Sequence, residues 1–216
     1  MVQDFNHLFD AWSATYDETV GGGDNEYREV FLHYEQILEE VAKNSKGYIV
    51  EFGVGTGNLT EKLVRRGLQV YGIEPSKGMR VKATEKLPNI PIVKGDFLLF
   101  PPPEFKPDTI VSTYAFHHLK DEEKRAAIAK YSQMLGDSGK MVFADTVFLD
   151  EKAKQDMIKE AQKKKFYRLA ADLKSEYYTT IPFLEEICKE YCFQVHFKRM
   201  NTFVWLMVAE KRRGSA

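Results

Sequence analysis

The chain has 216 residues, of which 44% are hydrophobic and 29% charged, and its formal net charge is −1. Such a length and composition are typical of one larger globular domain. The near-neutral charge argues against a broad nucleic-acid-binding surface and leaves an RNA substrate as a weaker alternative. The N-terminal residues lack the basic and apolar regions of a signal peptide. The longest apolar run near the end, FVWLMVA, is far shorter than the about 20 residues of a membrane span. We therefore expect a cytoplasmic protein with no membrane partner.

Apolar β-type runs alternate with helical patterns from residue 48 to residue 149, after an aromatic-rich segment at 4–43 that is predicted to be helical. The five β-type runs are YIVEF, LQVYGIEP, IPIVKGD, DTIVSTYAF and GKMVFADTVF. Helices are predicted between them: from the glycine-rich stretch to Gly67, from Ser76 through Leu87, and over KDEEKRAAIAKYSQML. Strands separated by helices of this length predict right-handed βαβ units and a parallel sheet covered on both faces.

The C-terminal part differs in character from this core. Residues 150–190 are strongly charged and predicted to be helical, and the runs YCFQVHFKRM and NTFVWLMVAEK predict a closing hairpin. We therefore predict an α/β fold with a Rossmann-like, doubly wound, mostly parallel seven-stranded sheet that ends in an antiparallel C-terminal hairpin. The single domain, as a monomer or a homodimer, would comprise an N-terminal helical cap at 1–43, a core at 44–149, a helical lid at 150–190 and the hairpin at 191–211.

The two cysteines, Cys188 and Cys192, fall four apart in a predicted helix, where they could share one face. We interpret them as small, partly buried thiols, which fit a reducing compartment. Histidines at zinc-ligand spacing do not accompany them, so the cysteines predict no zinc site.

A glycine-rich stretch, GVGTG, follows the first strand and opens a helix. Gly53, Gly55 and Gly57 allow a tight turn and let backbone N–H groups approach a ligand at the carboxyl edge of the sheet. A dinucleotide fingerprint would place its third glycine at position 58, where this chain has Asn58. This departure argues against the alternative of an NAD-dependent enzyme. Taken alone, the stretch is also explained by a tight turn.

An acidic residue lies near the end of each of the first three strands. Glu74 ends the second strand, where a carboxylate can accept hydrogen bonds from both hydroxyls of a ribose. Asp96 follows the third strand and could accept from an adenine amine, while Glu51 precedes the glycines and could meet an ammonium. Each acid alone is commonly a cap or turn residue. Together they predict a site for a cationic nucleoside rather than for a pyrophosphate.

Several motifs in fixed order along the chain resemble one enzyme family. They are FDAWSATYDETV, EFGVGTGNLT, GIEPSKGMR, GDFLLF, DTIVSTYAFHHL and VFADTVF. With the closing hairpin, they resemble the class I S-adenosylmethionine-dependent methyltransferases, and among these the YrrT-type small-molecule enzymes, over nearly the whole chain. The resemblance implies methyl transfer from S-adenosyl-L-methionine to a small-molecule acceptor, with S-adenosyl-L-homocysteine as product and no metal. A protein that binds this cofactor without turnover is the non-enzymatic alternative.

The resemblance also implies a cofactor site, position by position. Glu51 would lie near the amino group of the cofactor, and Glu74 would hold the ribose hydroxyls. Asp96 and Phe97 would contact the adenine. The other implied residues are Tyr16, closing over the cofactor; Gly53, Gly55 and Gly57, lining it; Met79, packing against adenine unless it is a plain core residue; and Ser112, beneath the methionine portion.

His117 and His118 lie just past the fourth strand, where an acceptor would be presented. The unperturbed pKa of histidine suits proton removal near neutrality, so both are candidate catalytic residues, and Tyr114 is a weaker one. Alternatively, one histidine caps the helix that begins near Asp121. Carboxylates at known ligand spacing do not accompany the pair, so the sequence predicts no metal there.

Two groups of flanking aromatic residues are predicted either to roof the pocket or to pack the added helices onto the core. They are Phe5, Phe9, Trp12 and Tyr16, and Phe166, Tyr167, Tyr177 and Tyr178. The basic stretch KKKFYRLAADLK is interpreted as a solvated helix face rather than as a contact for an anionic partner.

Overall fold

The computed structural model describes residues 16–212, and this range contains seven strands and eight α-helices. The strands are β1 Tyr48–Phe52, β2 Gln69–Ile73, β3 Ile92–Val93, β4 Thr109–Thr113, β5 Lys140–Thr146, β6 Phe193–Arg199 and β7 Val204–Lys211. The helices are α1 Tyr16–Glu18, α2 Tyr34–Asn44, α3 Asn58–Arg65, α4 Lys77–Lys86, α5 Asp121–Met134, α6 Glu151–Lys163, α7 Tyr167–Ser175 and α8 Ile181–Glu190. A π-helical turn, Thr19–Gly23, continues α1, and a 3₁₀ turn, Phe116–His118, follows β4. None of the helices within the described range is long and apolar enough to span a membrane.

All seven strands form one sheet in the order β3-β2-β1-β4-β5-β7-β6. The first five strands are parallel, and β7 runs antiparallel to both β5 and β6. This arrangement confirms the predicted Rossmann-like sheet with its closing hairpin. Because β2, β1, β4 and β5 are neighbours, their carboxyl ends lie side by side at one edge, where ligands bind in open α/β sheets.

Helices cover both faces of the sheet, which explains why the parallel strands are apolar throughout. Alternate residues of one strand enter different clusters: Ile49 packs with α2, α3, α6 and α7, whereas Val50 packs with α5 and α8. The predicted lid helices α6 and α7 therefore share a face with α2, next to the N-terminal segment.

Polar caps set where the helices begin. The Ser76 hydroxyl accepts a hydrogen bond from Met79 N at the start of α4, and the Asp150 carboxylate accepts one from Ala153 N at the start of α6. Helix α5 begins after Lys120, whose backbone N–H donates to the Glu123 carboxylate. The alternative in which a histidine caps this helix is therefore wrong, and His117 and His118 are available for another role.

Three expectations from the sequence need correction. The predicted N-terminal helical segment is interrupted by turns over 24–33, because His33 adopts a left-handed φ of 64° that a continuous helix does not allow. The third strand shrinks to Ile92–Val93, since it lies at the sheet edge and pairs only with β2. Cys192 does not share a helix face with Cys188, because α8 ends at Glu190 and the chain reverses with Cys192 at a φ of 63°.

Two basic side chains near residue 165 have acidic partners within the chain. Lys164 forms an ion pair with Glu29, and Arg168 forms ion pairs with Asp24 and Glu26. These contacts join the N-terminal segment to the beginning of α7. Exposed pairs of this kind contribute little stability individually, but they align two segments that flank the carboxyl edge of the sheet.

A single buried side chain, Asn201, ties the hairpin turn to the N-terminal segment. Its amide nitrogen donates to Val30 O and Leu32 O, both at 2.9 Å. Its carbonyl oxygen accepts from Phe203 N at 2.8 Å and from Val204 N at 2.7 Å. All four partners are backbone groups. They lose these hydrogen bonds when the Asn201 side chain is removed.

We predict that Asn201→Ala lowers the free energy of unfolding by roughly 2–3 kcal/mol, because it leaves buried backbone groups without partners. Urea denaturation followed by circular dichroism measures the change as a lower midpoint at an unchanged slope. The control is Thr202→Ala, an exposed neighbour in the same turn. Equal stability of the two variants would contradict the role of Asn201.

Candidate functional site

Among the three glycines of the loop between β1 and α3, only Gly55 has open space where a side chain would lie. A side chain is excluded at Gly53, because a Cβ there would lie 2.7 Å from the Cβ of Ala115 in the loop after β4. A Cβ at Gly55 would meet nothing within 4 Å, although its φ of +57° still favours glycine. Gly57 precedes the first residue of α3 as its N-cap. The loop therefore presents open main chain at Gly55, at the N-terminus of a helix.

The carboxylate of Glu74 lies directly beside this open main chain. One of its oxygens accepts a hydrogen bond from Gly55 N at 2.9 Å, and the other accepts from Ser76 N at 2.8 Å. The residue is only 5% exposed. The end of β2 therefore places a negative charge against the glycine loop, as the sequence predicted for a ribose-binding acid.

Glu51, the second predicted acid, is buried inside β1. Its carboxyl group accepts a hydrogen bond from the Thr60 hydroxyl at 2.7 Å. Burial and the nearby negative charge of Glu74 raise the pKa of Glu51 to about 8, although the bond from Thr60 opposes the shift. Glu51 is thus mostly neutral at pH 7 in this arrangement, and a cation placed beside it would favour its ionised form.

Three other predicted cofactor residues have intramolecular partners. The Asp96 carboxylate accepts hydrogen bonds from Leu98 N at 2.8 Å and Leu99 N at 2.7 Å, which closes a turn after β3. The ring of Phe97 stacks on Phe52 with 5.3 Å between centroids. Met79 is 2% exposed on α4. Their predicted contacts with adenine stay predictions.

The end of β4 carries two unsatisfied hydroxyls. Among the described residues, Ser112 Oγ and Tyr114 OH are buried side-chain oxygens without a hydrogen-bond partner. An unpaired buried hydroxyl is costly, and Tyr114 also has a left-handed φ of 52°, which is rare for a bulky residue. Such features concentrate at ligand sites. The resemblance implies that Ser112 lies beneath the methionine portion, and Tyr114 is a weaker catalytic candidate; both roles stay predictions.

The N-terminal segment covers the glycine loop. The Asp17 carboxylate accepts hydrogen bonds from the Thr56 hydroxyl at 2.7 Å and the Asn58 amide at 3.0 Å. Tyr16 packs against the same core cluster as Tyr34 and Tyr114. Sequence reasoning named Tyr16 but missed Asp17, its neighbour in the motif ATYD; Phe5, Phe9 and Trp12 lie outside the described residues.

Two cavities of about 590 Å³ each border this covering segment. One is lined by Asp17, Tyr34 and Asn58, and the other lies between Glu26 and Arg168. Neither is lined by the glycine loop or by Glu74. The hydrogen bonds of Asp17 to Thr56 and Asn58 hold the start of α1 against the glycine loop.

The two predicted catalytic histidines lie on the 3₁₀ turn after β4, each facing a carboxylate. His117 Nδ1 lies 2.7 Å from Asp145 Oδ1, and the His117 backbone N–H donates to Asp145 Oδ2 at 3.0 Å. His118 Nδ1 lies 3.1 Å from Glu176 Oε2. The two imidazole rings are 4.1 Å apart between centroids. Sequence reasoning missed Asp145 and Glu176, because neither is near the histidines along the chain.

The carboxylates give the two histidines opposite pKa shifts. Burial lowers the pKa of His117, but the charge of Asp145 and the bond to it outweigh burial and raise it. For His118, burial and the neighbouring His117 outweigh Glu176 and lower the pKa. Burial opposes ionisation of Asp145 as well, yet His117 and two backbone N–H groups hold its pKa below the usual value. Neighbouring groups with diverging pKa values are characteristic of functional sites.

Comparisons with known proteins agree with this geometry. Residues 49–139 match a family described as a methyltransferase domain. Uncharacterized methyltransferases of Bacillus cytotoxicus and Bacillus thuringiensis are each 55% identical over 213 residues, covering 98% of this chain and all of the relative. The fold is similar to the magnesium protoporphyrin IX methyltransferase of Synechocystis with bound S-adenosylmethionine (TM-score 0.67, 16% identity, 97% of this chain and 94% of that one). It is also similar to a Thermotoga maritima S-adenosylmethionine-dependent methyltransferase described as a possible histamine N-methyltransferase (TM-score 0.68, 15% identity, 96% and 99%).

We predict that Glu51→Gln becomes progressively more stable than the native chain as pH rises. Because the pKa of Glu51 is raised in the folded chain, its contribution to the free energy of unfolding is complete below pH 4.5. This contribution is lost as pH rises through about 8. Glutamine still accepts the Thr60 bond but cannot ionise. The difference in unfolding free energy should therefore grow by about 1.4 kcal/mol per pH unit between pH 5.5 and 7.5.

Urea denaturation at several pH values measures this difference. The control is Glu85→Gln, which removes one carboxylate from an exposed position of α4. A difference between Glu51→Gln and the native chain that stays constant across this pH range would show that Glu51 is already ionised at low pH, contrary to its buried setting.

Proposed function

This chain belongs to the class I S-adenosylmethionine-dependent methyltransferases, and we propose that it methylates a small polar metabolite. Its membership rests on 55% identity to methyltransferases along almost the whole chain. The family assignment removes the NAD-dependent alternative. The proposal concerns the nature of the acceptor and the residues that hold cofactor and acceptor.

The observation that carries the proposal is the contact between Gly55 and Glu74. The main chain at Gly55 is open to a ligand, and the adjacent carboxylate can accept hydrogen bonds from ribose hydroxyls. The unsatisfied hydroxyl of Ser112 offers a further polar contact at the same edge of the sheet. A cationic nucleoside matches both the carboxylate of Glu74 and the unsatisfied hydroxyl of Ser112.

The residues proposed to hold the cofactor are those that the sequence predicted. Glu74 would bind the ribose, and Glu51 would ionise beside the amino group. When bound, S-adenosylmethionine supplies an electrophilic methyl group on a sulfonium. The further proposed contacts are Tyr16 as a cover, Gly53, Gly55 and Gly57 along the loop, Met79, Asp96 and Phe97 at the adenine, and Ser112 below the methionine portion.

The residues of the chain would then align the two reactants and exclude water. Asp17 anchors the covering segment to the glycine loop through Thr56 and Asn58, so the site is shielded when this segment is closed. Alignment in a closed site contributes on the order of 7–11 kcal/mol to lowering a reaction barrier.

We propose that His117 and His118 handle the acceptor. They follow Ala115, which packs against Gly53 of the cofactor loop. His117 is also tied to the lid, because its carbonyl oxygen accepts a hydrogen bond from Tyr177 N at 3.1 Å. The two histidine side chains are 12% and 21% exposed. A largely buried pair suits a small acceptor better than a polymer.

We predict that Gly55→Leu and Glu74→Ala weaken binding of S-adenosylmethionine, the first by filling the open backbone position and the second by removing the acceptor for the ribose hydroxyls. Losses of at least about tenfold are expected for a hydrogen bond to a charged group. Isothermal titration calorimetry on the full chain measures them.

The matched control for Gly55→Leu is Gly67→Leu. Gly67 also has a positive φ, +78°, and open space around a Cβ, but it lies at the far end of α3. Both variants carry the same kind of backbone strain, so only the Gly55 variant should lose the cofactor. Absence of binding by the native chain would overturn the cofactor site itself.

We predict that the native protein forms S-adenosylhomocysteine when incubated with S-adenosylmethionine and an ultrafiltered metabolite extract. A parallel incubation with total RNA tests the polymer alternative. Product formation with RNA alone would refute a small-molecule acceptor. Cofactor binding without product in either incubation would favour the non-catalytic alternative. Glu74→Ala serves as the inactive control.

A further inference from the structure

We propose that His117, His118 and Glu176 form a binding site for a divalent transition-metal ion, through which the acceptor is held and oriented. The metal site would add an acceptor-binding role to the proposed function. Its part in catalysis rests on that function. It differs from the expectation based on the sequence, which found no carboxylate near the histidine pair. In the folded chain, Glu176 in the segment after α7 provides that carboxylate.

The three side chains are already gathered. Each offers one ligand atom, and these atoms lie within 4.8 Å of one another. Metal–ligand bonds of about 2.0–2.2 Å place ligand atoms on one ion roughly 3–4 Å apart, so small side-chain rotations would bring all three into range. The side chains of His117, His118 and Glu176 are 12%, 21% and 14% exposed, respectively. They are thus shielded, yet accessible to a small ligand.

Asp145 prepares His117 for this role. It occupies Nδ1 of the imidazole, which leaves Nε2 as the ligand atom. Histidines that bind metals usually donate the other ring N–H to a carboxylate in this way, and the carboxylate fixes both tautomer and ring orientation. Asp145 is itself held by the backbone N–H groups of Thr146 and His117.

A buried lysine holds the two parts of the site together. Lys124 is 1% exposed, and its ammonium donates to Leu119 O and to Tyr177 O, both at 2.5 Å. Leu119 directly follows the histidine pair, and Tyr177 directly follows Glu176. The bond from Tyr177 N to His117 O reinforces the link. Ligands from two distant segments are therefore held in a fixed relation, as a preorganised site requires.

Charge and ligand type both suit a divalent transition metal. The ionisable groups around His117 include the carboxylates of Asp145, Glu176 and Asp172 and the ammonium of Lys124. With neutral imidazoles, the site therefore has an excess negative charge that a cation would offset. Two imidazoles with one carboxylate suit Zn²⁺, Co²⁺ or Fe²⁺ better than Mg²⁺ or Ca²⁺, which prefer oxygen ligands.

Three protein ligands leave at least one coordination position open, as in catalytic zinc sites. The chemistry points to an acceptor with a hydroxyl or thiol group. Coordination lowers the pKa of such a group, so its proton leaves to solvent near neutral pH. The imidazoles then orient the acceptor through the ion instead of removing its proton themselves.

The test is titration of the metal-free full chain with Co²⁺, followed by the visible absorption of the bound ion, and with Zn²⁺ by calorimetry. We expect saturable binding of one equivalent. Glu176→Gln and His118→Ala should abolish it, and Asp145→Asn should weaken it by about 10- to 100-fold, the usual effect of removing a carboxylate behind a histidine ligand.

Two control variants exclude adventitious binding. His196→Ala removes an imidazole on β6, and Cys192→Ser removes an exposed thiol. Both should bind Co²⁺ like the native chain. Melting curves establish that each variant is folded. The proposal is overturned if the native chain shows no saturable binding, or if Glu176→Gln binds Co²⁺ as tightly as the native chain.

The same preparations are titrated with S-adenosylmethionine. Cofactor binding without metal binding would refute the metal site and leave the proposed function intact. Metal binding without cofactor binding would refute the proposed function instead. The two failures are therefore distinguishable.

Discussion

The contact between the Glu74 carboxylate and the main chain at Gly55 is the constraint on which the candidate cofactor site depends. A buried carboxylate is tolerated only when it is hydrogen-bonded, and Glu74 accepts N–H groups from both Gly55 and Ser76. This joins the glycine loop to the end of β2 and concentrates negative charge there. Glu51 responds to that charge, because a second buried carboxylate nearby ionises less readily and its pKa rises.

The order of strands brings the glycine loop next to the turn that carries the two histidines. In the sheet, β1 lies between β2 and β4, and β4 lies between β1 and β5. The glycine loop is therefore flanked by Glu74 on one side and by the turn that carries His117 on the other. Parallel pairing of β4 with β5 brings Asp145 beside that turn. The proposed cofactor site and the proposed acceptor site are therefore adjacent, although their residues are spread from β1 to the segment after α7.

Two added segments close over this edge from different parts of the chain. The N-terminal segment reaches the glycine loop through Asp17, and the segment after α7 reaches the histidines through Glu176 and Tyr177. Ion pairs of Arg168, at the start of α7, with Asp24 and Glu26 link the N-terminal segment to this helix. Partly exposed ion pairs of this kind are individually weak.

The sequence by itself determined the sheet, the glycine loop and Glu74 as its acidic partner, because strand periodicity, glycine spacing and capping residues act over a few neighbouring positions. It also predicted His117 and His118 as candidates. It did not predict the turns within the N-terminal helical segment or the end of α8 before Cys192, where His33 and Cys192 adopt left-handed φ values. Only the tertiary structure decided the partners of the histidines. Asp145 and Glu176 lie 28 and 58 residues away from His117 and His118, respectively. Contacts over such separations depend on strand order and lid packing, which leave no local pattern in the chain.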